Sequence, residues 1–226
     1  MNTPRRLGTF LVVTWLLALA VAFSIDRAVA EWVKAAVPLD KREQLTKLVV
    51  DIIKLPGWGG FTLAVAVLLG LFHRRRWYGA AGLALSAVSV GVANALIKWT
   101  AGRHRPVKGI APFVFKPFPG GLTGLFKEEA LCFPSGHALL SFATAASLSV
   151  LLPRWRWAFF AIAAAVGAER VLENAHYVSD VVAGAGMGTL LGWLITRTVL
   201  AMQKANRDGA PGSPYAGEHT SDSPTQ

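Results

Sequence analysis

Long apolar runs alternate with short basic stretches along this chain, and that alternation is its first structural signal. Crossing a bilayer as a helix takes about 17–25 residues. Runs that approach this length occupy residues 7–25, 57–72 with a slight extension, and 77–97. Three more occupy 137–152, 157–168 and beyond, and 178–195; the fourth and fifth reach the length only with their flanking residues. The pattern predicts an all-α fold, a polytopic membrane protein built as a six-transmembrane-helix bundle.

The charges between the runs orient them. Arg5 and Arg6, then Arg74, Arg75 and Arg76, then Arg154 and Arg156, then Arg197, Lys204 and Arg207 form clusters without acids until Asp208. Residues 26–54 instead mix basic side chains with Asp26, Glu31, Asp40, Glu43 and Asp51. Loops rich in Lys and Arg stay cytoplasmic, so both termini are expected there, in a bacterial inner (plasma) membrane. The loops after the first, third and fifth spans then face the periplasmic or extracellular side.

Within the first outer loop, Leu45, Leu48, Val49, Ile52 and Ile53 recur at helical spacing, which predicts a helix lying at the interface with no catalytic role. The start of the chain also fits a secretory signal with Ala28-Val29-Ala30 as its cleavage site. A retained helix is the expectation, because the apolar run exceeds the 7–15 residues of such signals and Asp26 and Arg27 precede the small residues. From Gln203 the chain turns to Gly, Ser, Pro and Thr, a composition that buries no core. An integral domain over 1–202 and a disordered cytoplasmic tail over 203–226 are expected.

Composition agrees with membrane burial: 53% of the 226 residues are hydrophobic and 16% charged, with mean hydropathy +0.43. A net charge of +10 suits nucleic acid, anionic lipid or a phosphorylated substrate equally. Its placement beside apolar spans points to membrane lipids as partners, with no nucleic acid expected. One cysteine, Cys132, allows no internal disulfide and no Cys/His metal cluster.

Polar clusters interrupt the apolar pattern at three places, all on the outer side. Lys98 follows the third span, and Gly102 and Pro106 end that helix, so Lys98 and Arg105 converge from a helix end and its loop. Taken alone, Lys98 or Arg103 reads as a cation snorkelling to headgroups. In Pro134-Ser135-Gly136-His137 a proline and a glycine precede an apolar helix, whose free N–H groups hold an anion; by itself the tripeptide reads as a capped turn. His176 and Asp180 stand four apart and share one helical face, where the carboxylate orients the imidazole as a nucleophile; by itself the pair reads as a structural hydrogen bond. That face continues through Gly184, Gly188 and Gly192, a ridge that admits a neighbouring helix. A stop at Asn174 brings Arg170 and His176 to one pocket.

Together these residues supply fixed cations, a helix N-terminus, a nucleophile with its acid, and a second histidine to donate a proton, which is what phosphoryl transfer needs. No carboxylate cluster for Mg²⁺ or Zn²⁺ accompanies them, so no metal and no cofactor is expected.

On these residues the chain resembles the type-2 phosphatidic acid phosphatase superfamily over roughly residues 57–196. The family's motifs K-x6-R-P, P-S-G-H and S-R-x5-H-x3-D correspond to KWTAGRHRP at 98–106, PSGH at 134–137 and ERVLENAHYVSD at 169–180. The resemblance implies that Lys98, Arg105 and Arg170 bind phosphate, that Ser135 and Gly136 help seat it, that His176 attacks phosphorus, that Asp180 orients His176, and that His137 protonates the leaving group. Glu169 departs from the motif by standing where the family has serine; it either turns away from the pocket or pairs with a loop lysine. The implied activity is hydrolysis of a lipid phosphate or diphosphate: phosphatidic acid, phosphatidylglycerophosphate, undecaprenyl diphosphate or a lipid A phosphate. The loop over 107–133, with Lys108, Lys116 and Lys127, is expected to help choose among them. Two other readings are a lipid phosphotransferase using the same pocket and a non-catalytic transport or scaffold protein.

Overall fold

A computed structural model describes residues 3–37, 44–72, 76–121 and 131–208. The first apolar run does not stop at its charged end. Helix α1 (Thr3–Ala36) continues through Asp26, because Ala22, Asp26, Ala30 and Val33 recur at helical spacing on a buried face. The opposite face, with Phe10, Leu17 and Val21, is exposed, as a lipid-facing surface is. Ala30, in the Ala-Val-Ala stretch, belongs to the core beside Cys132 and Tyr177.

The stripe in the first outer loop forms α2 (Gln44–Lys54). A 3₁₀ turn at Leu55–Gly57 then bends the chain by 63° into α3 (Gly59–Phe72). Helix α4 (Arg76–Ala101) turns Gly82, Leu83, Ser86 and Val90 inward. The central helix is α5 (Gly136–Leu151), flanked by α6 (Arg156–Leu172) and the long α7 (Val178–Asp208).

The glycine ridge of α7 packs where the periodicity predicts. A Cβ on Gly188 would meet the Leu139 carbonyl oxygen at 2.1 Å, and one on Gly192 the Ala143 carbonyl oxygen at 2.3 Å. Backbone-to-backbone contact of this kind is what small residues give in helix packing. Below the ridge, hydroxyls join the helices: Thr196 Oγ1 donates to Ser147 Oγ at 2.9 Å, Ser147 Oγ to the Gly192 carbonyl at 3.2 Å, and Thr62 meets Thr144 at 3.0 Å. On the other side of α7, Trp15 Nε1 of α1 donates to the Val182 carbonyl at 2.9 Å.

Six of the helices follow the six expected runs in order, but the expected count of crossings is only partly matched. Among the described residues, Gly8–Ala36, Trp77–Ala101 and Val178–Asp208 are long and apolar enough to span a membrane, with a fourth span if α2 and α3 are taken as one bent element. The 16 residues of α5 cover about 24 Å at 1.5 Å per residue, less than the ~30 Å hydrocarbon core. Burial among its neighbours, not contact with lipid, stabilises that helix. At the other end, α7 runs on to Asp208, so 203–208 are helical where tail was expected; 209–226, Arg74, Arg75 and Lys127 lie outside the described residues.

Candidate active site

The C-terminal ends of α4 and α6 and the N-terminal ends of α5 and α7 meet at one end of the bundle, and the three motifs sit there. After α6 the chain reverses at Asn174, whose φ is 53°, and the Arg170 carbonyl accepts from the N–H groups of Ala175 at 3.2 Å and His176 at 3.3 Å. This turn carries His176 back over the end of α6, as the stop at Asn174 predicts.

His176 is 3% exposed. Its Nδ1 lies 2.9 Å from the carbonyl oxygen of Cys132. A carbonyl only accepts, so Nδ1 carries the hydrogen and the lone pair is left on Nε2. Asp180 stands further off, with Oδ2 3.6 Å from Nδ1. The Cys132 carbonyl is thus the nearer acceptor for Nδ1, and the Asp180 carboxylate faces the same nitrogen from the next turn. Burial pushes the His176 imidazole below its ordinary pKa; Asp180 opposes this, while Arg105 and Lys98 add to it. The ring is therefore neutral at neutral pH, the form a nucleophile requires.

Ser135 caps α5. Its Oγ accepts from the Ala138 N–H at 3.4 Å, and its own N–H donates to the Asp180 carbonyl at 3.0 Å, tying the starts of α5 and α7 together. A Cβ on Gly136 would lie 3.1 Å from Asn94 Nδ2. His137 opens α5 against Gly57 of the 3₁₀ turn, where a Cβ would come within 2.9 Å of the imidazole's Cβ and Cδ2. The cations acting on His137 are Arg170, Lys54 and Lys98, and Lys98 acts on His176 as well.

Lys98 is buried in the last turn of α4. The chain then reverses at Gly102, with φ 61°; a Cβ there would lie 1.7 Å from the Lys116 carbonyl oxygen, so only glycine allows this turn. It returns Arg103 and Arg105 toward the site. Arg103 does not snorkel. It is 0% exposed, pairs with Asp180 and Asp26, and lies over the Tyr177 ring at 4.2 Å.

Arg170 is held by acids. Its Nε donates to Glu169 Oε2 at 2.8 Å and its Nη2 to Glu169 Oε1 at 3.1 Å and to Glu173. Lys54 Nζ reaches Glu173 at 2.6 Å and Glu169 at 3.7 Å. Glu169 thus faces into the cluster and pairs with a lysine of the first outer loop, Lys54, at the end of α2. Sequence reading passed over Lys54, Glu173, Asp26 and the burial of Arg103. The signal available for Asp26 was an acid continuing the α1 periodicity; the others gave none.

The profile described as the PAP2 superfamily matches residues 79–204. The chain is similar to the lipid A 1-phosphatase of Rhizobium etli, 40% identical over 129 residues that make up 55% of this chain and 51% of that protein. It is 30% identical to the undecaprenyl-diphosphatase of Sulfolobus acidocaldarius over 134 residues, 58% of this chain and 60% of the other. With phosphatidylglycerophosphatase B of Bacillus subtilis it shares 26% identity over 209 residues, 86% of this chain and 94% of the other. The chain spans about half the length of the lipid A 1-phosphatases it matches. The crystal structure of the transmembrane PAP2 type phosphatidylglycerolphosphate phosphatase from Bacillus subtilis superposes with TM-score 0.59 at 27% identity, over 89% of this chain and 98% of that one.

Proposed function

Since the chain belongs to the PAP2 superfamily, we propose that it is a membrane phosphatase hydrolysing a lipid phosphate or diphosphate through a phosphohistidine on His176. The observation that carries this reading is the Nδ1 bond to the Cys132 carbonyl, which leaves the Nε2 lone pair for attack. In the first step Nε2 forms a bond to phosphorus as the bond to the lipid oxygen breaks, and His137 gives that oxygen its proton. Water then attacks phosphorus and passes its proton to His137, and the N–P electron pair returns to Nε2. The products are inorganic phosphate and a lipid alcohol, or a lipid monophosphate from a diphosphate.

Lys98 and Arg105 neutralise phosphate oxygens, and the free N–H groups at the start of α5 beside Ser135 and Gly136 add a positive helix end. Arg170 joins them when phosphate takes the place of Glu169 and Glu173. An apolar groove of about 580 Å³ lies between α3, α5 and α6, lined by Phe61, Leu68, Leu148, Phe159 and Ile162. It begins at Pro56, next to the glycine that abuts His137, and this supports a substrate with an acyl or isoprenoid chain. We read α1 and α3 to α7, the shorter ones taken with their flanking residues, as six crossings, with cytoplasmic termini and the site on the outer side. Lipid A, undecaprenyl diphosphate and phosphatidylglycerophosphate are the first candidates, with phosphatidic acid beside them.

The test is phosphate release by the purified chain in detergent, with EDTA present, from those four lipids. Release from at least one is expected at an undiminished rate in EDTA; no release from any would sink the reading. A smaller change probes the same site. Gly57→Ala pushes a methyl group against His137, and displacing an acid by about 1 Å costs up to ~100-fold. We expect kcat to fall about ten-fold or more with the thermal transition retained.

A further inference from the structure

Helix α1 lies outside the residues matched by the PAP2 profile, 79–204, and carries none of the three motifs. It nevertheless sends one side chain to the catalytic end. Asp26 is fully buried, as are Arg103, Ser179 and Asp180. Arg103 divides its fork between two carboxylates: Nη2 donates to Asp26 Oδ2 at 2.6 Å, and Nη1 to Asp180 Oδ1 and to Ser179 Oγ at 2.7 Å. Asp26 Oδ1 also accepts the Ser179 N–H at 2.9 Å, satisfying a donor in the first turn of α7 that has no partner within the helix. Asp180 Oδ2 in turn accepts the Tyr177 N–H at 2.9 Å.

We infer that Asp26 is a positioning residue for His176: by occupying half of the Arg103 fork it stops that guanidinium from capturing Asp180 with both nitrogens. A guanidinium binds a single carboxylate most strongly in the two-nitrogen mode, and a buried guanidinium deprived of one carboxylate turns to the other within reach. Without Asp26, Arg103 rotates its free Nη2 onto Asp180. The carboxylate is drawn off the imidazole, and the positive charge beside it goes uncompensated. The first turn of α7 loses its Ser179 anchor at the same time.

The inference rests on the phosphatase reading only for its kinetic consequence. The charged and titratable groups around His176 are Asp180 on α7, Arg105 after α4, Lys98 on α4 and His137 on α5, with Cys132 supplying the carbonyl. Losing the Asp26 charge acts on this set in one direction. It strengthens Arg103 against Asp180, and so disfavours the imidazolium.

The experiment uses the full chain in detergent micelles with ¹⁵N-labelled histidine, as wild type, Asp26→Asn and Asp26→Glu, with His176→Ala to assign the signal. In Asp26→Asn we expect the His176 ¹⁵N titration to move to lower pH, and kcat on the best hydrolysed of the four lipids to fall about ten-fold with KM within about two-fold. Asp26→Glu restores part of both. An Asn variant with wild-type titration and kcat overturns the inference. So does loss of the cooperative melting transition in both variants, since Asp26 would then serve the fold alone. If the wild type releases no phosphate from any lipid while the Asn variant still shifts the titration, the phosphatase reading falls and the role of Asp26 stands.

Discussion

His176→Ala lowers phosphate release by about 10³-fold or more, the scale seen when a covalent nucleophile is removed from a unit of cooperating groups. No neighbouring side chain replaces it. His137 sits behind Gly57 on α5, and the Cys132 thiol donates to the His104 carbonyl at 3.2 Å while burial raises its pKa far above neutrality. The fold is expected to survive, because leaving the Cys132 carbonyl unpaired costs about 1–3 kcal/mol, a loss the melting transition should register without disappearing. Residual release near the wild-type rate, with the melting transition retained, would remove His176 from the mechanism. The same chemistry sets the pH profile. Attack needs the neutral His176 imidazole, whose pKa burial lowers, and departure of the lipid oxygen needs the proton on His137, so kcat/KM is expected to fall on both sides of an optimum, with the acid limb below the ordinary histidine range of about 6.5.

Gly188→Val should be the most damaging single substitution away from the site. Gly188 lies against the backbone of α5, where its first added carbon would meet the Leu139 carbonyl oxygen at 2.1 Å. Overpacking typically costs about 1–3 kcal/mol when side chains can move aside. Here the obstacle is the backbone of the central helix, so the cost falls at or above the top of that range. The displacement also travels. Moving α5 from α7 stretches the bond from the Ser135 N–H to the Asp180 carbonyl, 3.0 Å long, and separates His137 from His176. We expect a large drop in the detergent melting temperature and loss of most activity. Gly91→Ala is the control: nothing lies within 4 Å of a Cβ there, and alanine in a helix gains up to about 1 kcal/mol over glycine. Equal melting temperatures for Gly188→Val and the wild type would show that the ridge is not what holds the helices together.

The cation set illustrates how a motif and its structure can differ. The resemblance implies that Lys98, Arg105 and Arg170 bind phosphate; in the fold Arg170 is paired with Glu169 and Glu173, and Lys54 of α2 completes the cluster. The departure from the family's serine at Glu169 therefore has a defined place in the fold: an acid on the arginine expected to meet phosphate.

Local periodicity and short spacing made much of this protein legible from its amino acids. The apolar runs became helices in the expected order, the glycines of α7 faced α5, Asn174 turned the chain between α6 and α7, and the three motifs met at one end. Each of these depends on residues a few positions apart, where helical geometry dictates which side chains share a face. The fate of single charges was decided only by the tertiary structure. Arg103 read as a snorkelling cation because its partner Asp26 lies 77 positions away, and Lys54 read as part of an inert interfacial helix because Glu173 lies 119 positions away. A lone charge beside an apolar run is stable either in the headgroups or in the core. Which it adopts depends on whether another helix brings the opposite charge to it.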